Sequence, residues 1–310
     1  MKSASISTNQ KGDFMNTKDS LIEQEFNEYY SNNTYDIASV ELINRIIDFK
    51  PDQKVIKDID FTLYEYYEYL ESLDKLDKKT LKLYLSALKS TDIIDNQVVE
   101  MEDSFLIYMS VQSQKRHAID QILNTKSLKE QSLLTSHGLL MEGTTSSHLD
   151  NYHFRNSNVD FVGHYEQGKR IIHFLPIDYR EIKEAIHTFL DYYNDKSLND
   201  IDMFIKAFKI HAIISTMQAF KDGNTRFGRL LQNAKLYSDT NNLLKKSYEN
   251  PTLYITKAYN PYRSQYRELI EKIVRDKSLD SLNNWIGFNA NRAQDSLYNN
   301  NSRVEKIKLK

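Results

Sequence analysis

The chain has 310 residues, 40% of them hydrophobic, with 41 Lys and Arg against 43 Asp and Glu. That is enough apolar content for one good core and a smaller attached one. The net charge of −2 gives no electrostatic case for nucleic acid or an anionic membrane as a main partner. Cysteine is absent, which excludes disulfides, thiolate metal sites and a Cys nucleophile and suits a cytoplasmic interior.

Met1–Thr17 is polar, rich in Ser, Asn and Lys, and reads as a disordered tail with no signal-peptide core. Residues 18–48 carry apolar stripes of one or two helices, with Leu21, Ile22, Phe26 and Tyr29 on one and Val40, Ile43, Ile46 and Ile47 on the other. Pro51 ends that part. Residues 56–90 hold a second helical pair, so 18–100 is expected to be an N-terminal helical region. Its Tyr64–Tyr69 cluster reads as core and rim packing, with a partner surface as the alternative. Leu106–Leu123 and Leu128–Met141 are further predicted helices. Val159–Val162 and Arg170–Phe174 are β-rich runs around a loop containing Glu166, Gln167 and Gly168, a predicted hairpin. Helices follow at Ile182–Tyr193, Asp202–Met217, Arg226–Tyr237, Tyr262–Val274 and Leu279–Asn291. Residues 298–310 are expected to be a C-terminal tail, its basic Lys306–Lys310 end solvated. Six of the eight glycines lie between Gly138 and Gly228, which places irregular, functional structure mid-chain.

Within that region, Gln218–Arg229 reads QAFKDGNTRFGR. Upstream, Phe204, Phe208, Ala212 and Met217 recur at helical spacing; downstream, Phe227, Leu230, Leu231 and Ala234 do the same. Lys221–Asn224 interrupts both patterns as a tight turn, with Gly223 suited to unusual backbone angles and Asn224 a favoured N-cap. The N–H groups of the following helix then make an anion site. Arg226 and Arg229 lie on one face and can fork onto phosphate oxygens. Asp222 beside that anion makes sense if Mg²⁺ bridges them. The plainer alternative is a capped helix with two solvated arginines.

The full string resembles the signature of the Fic (Fido) family, HxFx(D/E)GNGRxxR. Phe220, Asp222, Gly223, Asn224, Arg226 and Arg229 match; Gln218 stands in the place of the family His and Thr225 in that of the last Gly. His211 resembles the family's structural His seven residues ahead of the motif. His137–Gly143 resembles the segment before its flap, Arg155–Gly163 and Phe174–Pro176 the flap itself, and Tyr266–Leu269 through Trp285–Ile286 the closing helix pair. The resemblance spans about residues 105–295. It implies a mainly α fold: a Fic/Fido-like helical core over 101–297 with a β-hairpin flap and an N-terminal helical extension.

It also implies transfer of AMP from ATP to a protein Ser, Thr or Tyr hydroxyl. Asp222 would hold Mg²⁺; Gly223, Asn224, Thr225 and Arg226 would cradle phosphate, and Arg226 and Arg229 would reach the outer phosphates. A protein target would dock as an added strand on the flap, about residues 159–174. The related Doc proteins phosphorylate instead, leaving the transferred group open. The family His takes the proton of the attacking hydroxyl. Gln218 cannot, since a carboxamide has no basic lone pair, and losing a positioned base costs on the order of 10²–10⁴-fold in rate. His211 lies about two turns away along its helix, some 10 Å. His137, His148, His153, His164 and His173 read as packing or surface residues. Tyr30–Tyr35 resembles the family's inhibitory segment with its Glu missing. Two readings therefore stand: a transferase impaired by the loss of its base, or a non-catalytic nucleotide-binding regulator or interaction module. Further partners expected are a second copy of the chain or an active Fic homologue. A secreted effector without an N-terminal signal remains open.

Overall fold

The computed structural model describes residues 10–98, 112–123, 125–276 and 278–309. Eleven α-helices and one two-stranded sheet make up these described residues. Helices α1 (Gln10–Asn32), α2 (Val40–Asp48), α3 (Gln53–Asp74) and α4 (Lys78–Val98) come first, then α5 (Gln112–Leu123) and α6 (Glu130–Met141). The hairpin β1 (Val162–Glu166) and β2 (Lys169–Phe174) follows. After it come α7 (Ile182–Asn194), α8 (Asp200–Met217), α9 (Asn224–Leu243), α10 (Arg263–Arg275) and α11 (Asp280–Lys308).

At the centre lies α8, in which every side chain from Met203 to Met217 is buried. A helix apolar on all sides belongs in a core, and α9, α10, α11, α7, α3 and α2 all pack on it. Its two lysines find acceptors at the buried ends. Lys209 Nζ donates to Ile47 O (2.7 Å) and Phe49 O (2.6 Å), closing the C-terminal end of α2, where a cation offsets the helix dipole. Burial pushes the Lys209 ammonium down to about 8. One apolar cluster runs from Ala38 to Val304, so the N-terminal helices share the core of the rest. In the Tyr64–Tyr69 stretch, Tyr66 and Tyr69 are buried and hydrogen-bonded while Tyr64 faces out.

Three sequence expectations need correction. Helix α1 begins at Gln10, inside the segment expected to be a tail; residues 1–9 lie outside the described residues, as do 106–111 of the predicted Leu106–Leu123 helix. The expected C-terminal tail is instead the last third of α11. Leu297 and Val304 are fully buried, seven residues apart, and Asn300 O accepts from Tyr84 Oη at 3.4 Å. Packing overrides the weak helix propensity of the Asn299–Asn301 run. The first strand starts at Val162 rather than Val159, and the hairpin turns on Gln167 and Gly168, with φ of 49° and 78°. Two residues of positive φ match the twist of the paired strands. The predicted Leu128–Met141, Ile182–Tyr193 and Asp202–Met217 helices form within two residues of their expected limits.

Candidate functional site

The turn between α8 and α9 carries the motif. Gln218 caps α8 in the left-handed region, φ 52° and ψ 52°, a conformation costing a non-glycine residue about 1–2 kcal/mol. Arg155 holds it there. Its backbone N–H donates to Ala219 O at 3.0 Å and its Nε to Gln218 O at 2.8 Å. On the far side of the flap, Ile177 N donates to Met217 O at 3.2 Å. Both roots of the flap segment are thus bonded to the end of α8, which sets the hairpin beside the motif.

The Gln218 amide is engaged at both ends. Nε2 donates to Ser215 O (2.6 Å) and Oε1 accepts from Asn224 Nδ2 (2.9 Å). Asn224 is not the N-cap. Its side chain reaches back to Phe220, Oδ1 accepting from the backbone N–H (2.9 Å) and Nδ2 donating to the carbonyl (2.8 Å). Asn224 is 3% exposed and braces the turn from inside. Gly223 caps α9 instead, at φ 77° and with no side-chain bond. A Cβ there would sit 2.2 Å from Met141 Sδ, so backbone and packing both require glycine.

Phe227 N makes the first turn's bond to Gly223 O at 2.9 Å. The N–H groups of Asn224, Thr225 and Arg226 precede it, at the positive end of the helix. Asp222 stands beside them with its side chain 41% exposed. Its Oδ1 accepts from Gly223 N (2.6 Å) and its Oδ2 from Arg226 Nη2 (3.0 Å). Burial alone would raise its carboxyl, but the Arg226 charge and hydrogen bonds from Ser146 and Gly223 hold it below the usual carboxylate value. It is an ionised acid at neutral pH. No group of three or more His, Cys, Asp or Glu that could hold a metal occurs among the described residues. Mg²⁺ does not need one: it commonly takes one or two carboxylates, with substrate phosphate and water completing its octahedron. A carboxylate has about four lone-pair sites, so Asp222 can take a cation and keep the Gly223 bond. The donor set fits.

The two arginines differ from their expected placement. Arg226 lies against Asp222 with 7% of its side chain exposed. Arg229 is fully buried, its Nη1 donating to Tyr266 Oη at 3.1 Å and its guanidinium 5.7 Å from that ring. Tyr266 Oη meets His211 Nε2 at 2.7 Å, and His211 Nδ1 meets Gln232 Oε1 at 2.7 Å. Arg229 thus belongs to a buried polar network joining α9, α10 and α8. Burial drives His211 down to about 3, so it is neutral and structural.

Among the remaining histidines, His137 stands nearest the motif in bonding terms. Its Nε2 meets Asp222 O at 2.8 Å, its Nδ1 meets Asn151 O at 2.7 Å, and its ring stacks on Phe220 at 3.6 Å. Burial lowers it to about 4. Carbonyl oxygens only accept, so a neutral ring donates to one of these two carbonyls and holds the turn by that bond and by its stacking on Phe220. His153 pairs with Asp150 and His148 with Thr145 O. The Tyr30–Tyr35 segment ends α1 beside the flap root, where Tyr30 Oη donates to Pro176 O at 2.8 Å. Sequence spacing did not assign Arg155, His137, Ser146 or Tyr266 to the motif turn, because each reaches it from a separate element.

A helical core with a hairpin rooted beside a turn-to-helix junction is a Fic-type architecture. Residues 127–236, which include the flap and the motif, match the model of the Fic/DOC family. Solved structures similar to this chain include a Fic family protein from Desulfovibrio desulfuricans G20, with TM-score 0.59 and 15% identity over 82% of this chain and 77% of that one. A Fic domain containing signaling protein from Bacteroides thetaiotaomicron VPI-5482 matches with TM-score 0.57 and 15% identity, covering 80% of this chain and 97% of its own. Fic-1 from C. elegans, as a fragment, matches with TM-score 0.53 and 13% identity over 81% and 71%. At such identities these likenesses establish the fold. No curated protein matches the chain. No helix among the described residues is long and apolar enough to cross a membrane.

Proposed function

We propose that the motif turn binds the phosphates of ATP with Mg²⁺, and that the chain is a Fic-type AMP transferase impaired by the absence of a base at Gln218. The observation that carries this reading is the ionised, half-exposed Asp222 set against the leading N–H groups of α9. That pairing of acid and anion site is explained by a cation between them. The family match over residues 127–236 supports the choice of nucleotide. Mg²⁺ held there would offset phosphate charge. Arg226 would exchange Asp222 for a phosphate oxygen, and Arg229 would join only once its cover shifts.

In AMP transfer, a target hydroxyl oxygen bonds to the α-phosphorus, the bond to the β-phosphate oxygen breaks, and pyrophosphate leaves. The hydroxyl proton needs an acceptor. The Gln218 amide offers none, and its oxygen already accepts from Asn224. His137 and His211 are buried within the fold, and each is packed against its own partners rather than open to a target hydroxyl. The target would lie along the flap, as an added strand.

The engagement of both ends of the Gln218 amide favours a second reading, a nucleotide-binding regulator with no transfer of its own. In that case the glutamine serves to hold the cradle. One experiment separates them. Saturating ATP-Mg should raise the melting temperature of the wild type and not of Asp222→Ala. A wild type indifferent to ATP-Mg refutes both readings. Label from α-labelled ATP appearing on protein over hours supports the transferase; binding without label supports the regulator.

A further inference from the structure

Three carboxylates stand around the root of the flap and the motif turn, and one of them is untied. Asp222 Oδ2 accepts from Arg226 Nη2 at 3.0 Å, and Asp178 Oδ1 accepts from the backbone N–H and the Nε of Arg180, both at 2.9 Å. The bonds from Arg180 hold Asp178 below the usual carboxylate value, and Asp222 lies below it too despite its burial. Asp160, two residues before β1, differs. Its Oδ2 is shut off from solvent and accepts no hydrogen bond, while the residue as a whole is half-buried. Burial raises its carboxyl, and the charges of Arg155 and Lys221, which face it without bonding it, pull the other way. Tyr30 of α1 is the remaining titratable group on this side, and Asp178 faces the same Arg155. A buried polar atom without a partner calls for an explanation.

The backbone sets Asp160 on the motif side of the hairpin. The segment entering β1 is tied to Gln218 and Ala219 through Arg155, whereas the segment leaving β2 is tied earlier, by Ile177 N to Met217 O. At Leu175 the outer edge of β2 is already taken: Leu175 N donates to Asp36 O at 2.9 Å and Ala38 N to Leu175 O at 3.0 Å. Gly163–Glu166 of β1 are exposed. A strand added beside the motif therefore adds to β1, with Asp160 at its root. Phe161, the next residue, is fixed by stacking on Phe26 and by Tyr165.

We propose that Asp160 is a catalytic residue that takes the proton of the target hydroxyl, a role Gln218 cannot fill. The hydroxyl oxygen bonds to the α-phosphorus and its proton passes to a carboxylate oxygen of Asp160. The bond to the β-phosphate oxygen breaks, pyrophosphate leaves, and Asp160 returns the proton to water. A base works best when its proton affinity lies near the operating pH. Burial moves Asp160 in that direction, and Asp178 and Asp222 are moved away from it. Carboxylates whose surroundings push them apart in this manner divide into acceptor and binding group. A carboxylate is still a weaker acceptor than an imidazole, which fits a slow transferase.

The inference rests on the transferase reading, and its test separates the two. Transfer of label from α-labelled ATP to lysate protein would be followed from about pH 5 to pH 9. Four full-length proteins are compared: wild type, Asp160→Asn, Gln218→His and the double variant. Wild-type transfer should fall in acid as Asp160 takes up its proton. Asp160→Asn should keep the rise in melting temperature with ATP-Mg, transfer about a hundredfold more slowly, and lack that acid limb. Asp160→Glu should restore the limb. In the Gln218→His background the imidazole takes the proton, so Asp160→Asn should leave transfer unchanged. An acid that only held the flap would cost the same in both backgrounds, which overturns the proposal. So does a wild type that binds ATP-Mg and transfers nothing, or an Asp160→Asn protein that transfers like wild type. Each of those results leaves nucleotide binding standing. A wild type whose melting temperature ignores ATP-Mg sinks the functional reading and this inference with it.

Discussion

Replacing Gln218 by histidine is the sharpest test of the site. The glutamine amide donates to Ser215 O and accepts from Asn224 Nδ2, and an imidazole has one nitrogen for each role in its neutral form. At worst both neutral hydrogen bonds are lost, about 2 kcal/mol, a fall in melting temperature of roughly 3 °C for a chain of this size. The backbone is already in place, because Arg155 Nε grips the Gln218 carbonyl whatever the side chain. A restored base is worth on the order of 10²–10⁴-fold in rate. The assay is incorporation of label from α-labelled ATP into lysate protein, with Mg²⁺, for wild type and variant side by side. A Gln218→His protein that is folded and binds ATP yet transfers no more than wild type refutes the reasoning. The defect would then extend beyond the missing proton acceptor.

Three other perturbations read different parts of the site. Asp222→Ala takes the carboxylate away from an Arg226 side chain that is only 7% exposed, so stability should fall by about 1–3 kcal/mol in urea unfolding while thermal stabilisation by ATP-Mg disappears. Tyr266→Phe takes away the oxygen bonded to Arg229 and His211. Stranding a buried donor costs about 1–3 kcal/mol, to be read in urea unfolding of the nucleotide-free protein. His211 is held by burial at about 3, against about 6.5 in an unfolded chain. Above pH 6.5 it is neutral in both states; as pH falls toward 3 only the unfolded chain takes the proton, so stability present at neutral pH drains away through that window. The wild type should lose on the order of 4 kcal/mol from this group by the lower limit. His211→Gln should be less stable at pH 7 and less sensitive to acid, checked by urea midpoints between pH 7 and 4.5.

Much of the architecture follows from local pattern. The apolar spacing through Phe204–Met217 and Phe227–Ala234 reports two helices, and the Asp222–Gly223 step between them reads as the turn that leads into the second at Asn224. Spacing failed where propensity and packing disagree. The Asn299–Asn301 run looks like a tail, yet Leu297 and Val304 on either side carry the helix through it. It failed too where one residue type suits two roles: Asn224 looks like a cap and is a brace, reaching back to Phe220.

Sequence by itself determined the helical order, the hairpin and an acid placed at a helix start, because each is set by neighbours a few residues apart. Tertiary structure alone decided which groups of the motif are open to solvent and which are buried. Arg229 is turned inward by a tyrosine 37 positions later, and Asp222 is kept ionised by Arg226 and Ser146 together. Burial and the hydrogen bonds that compensate for it depend on what packs against a side chain, and those partners come from distant parts of the chain.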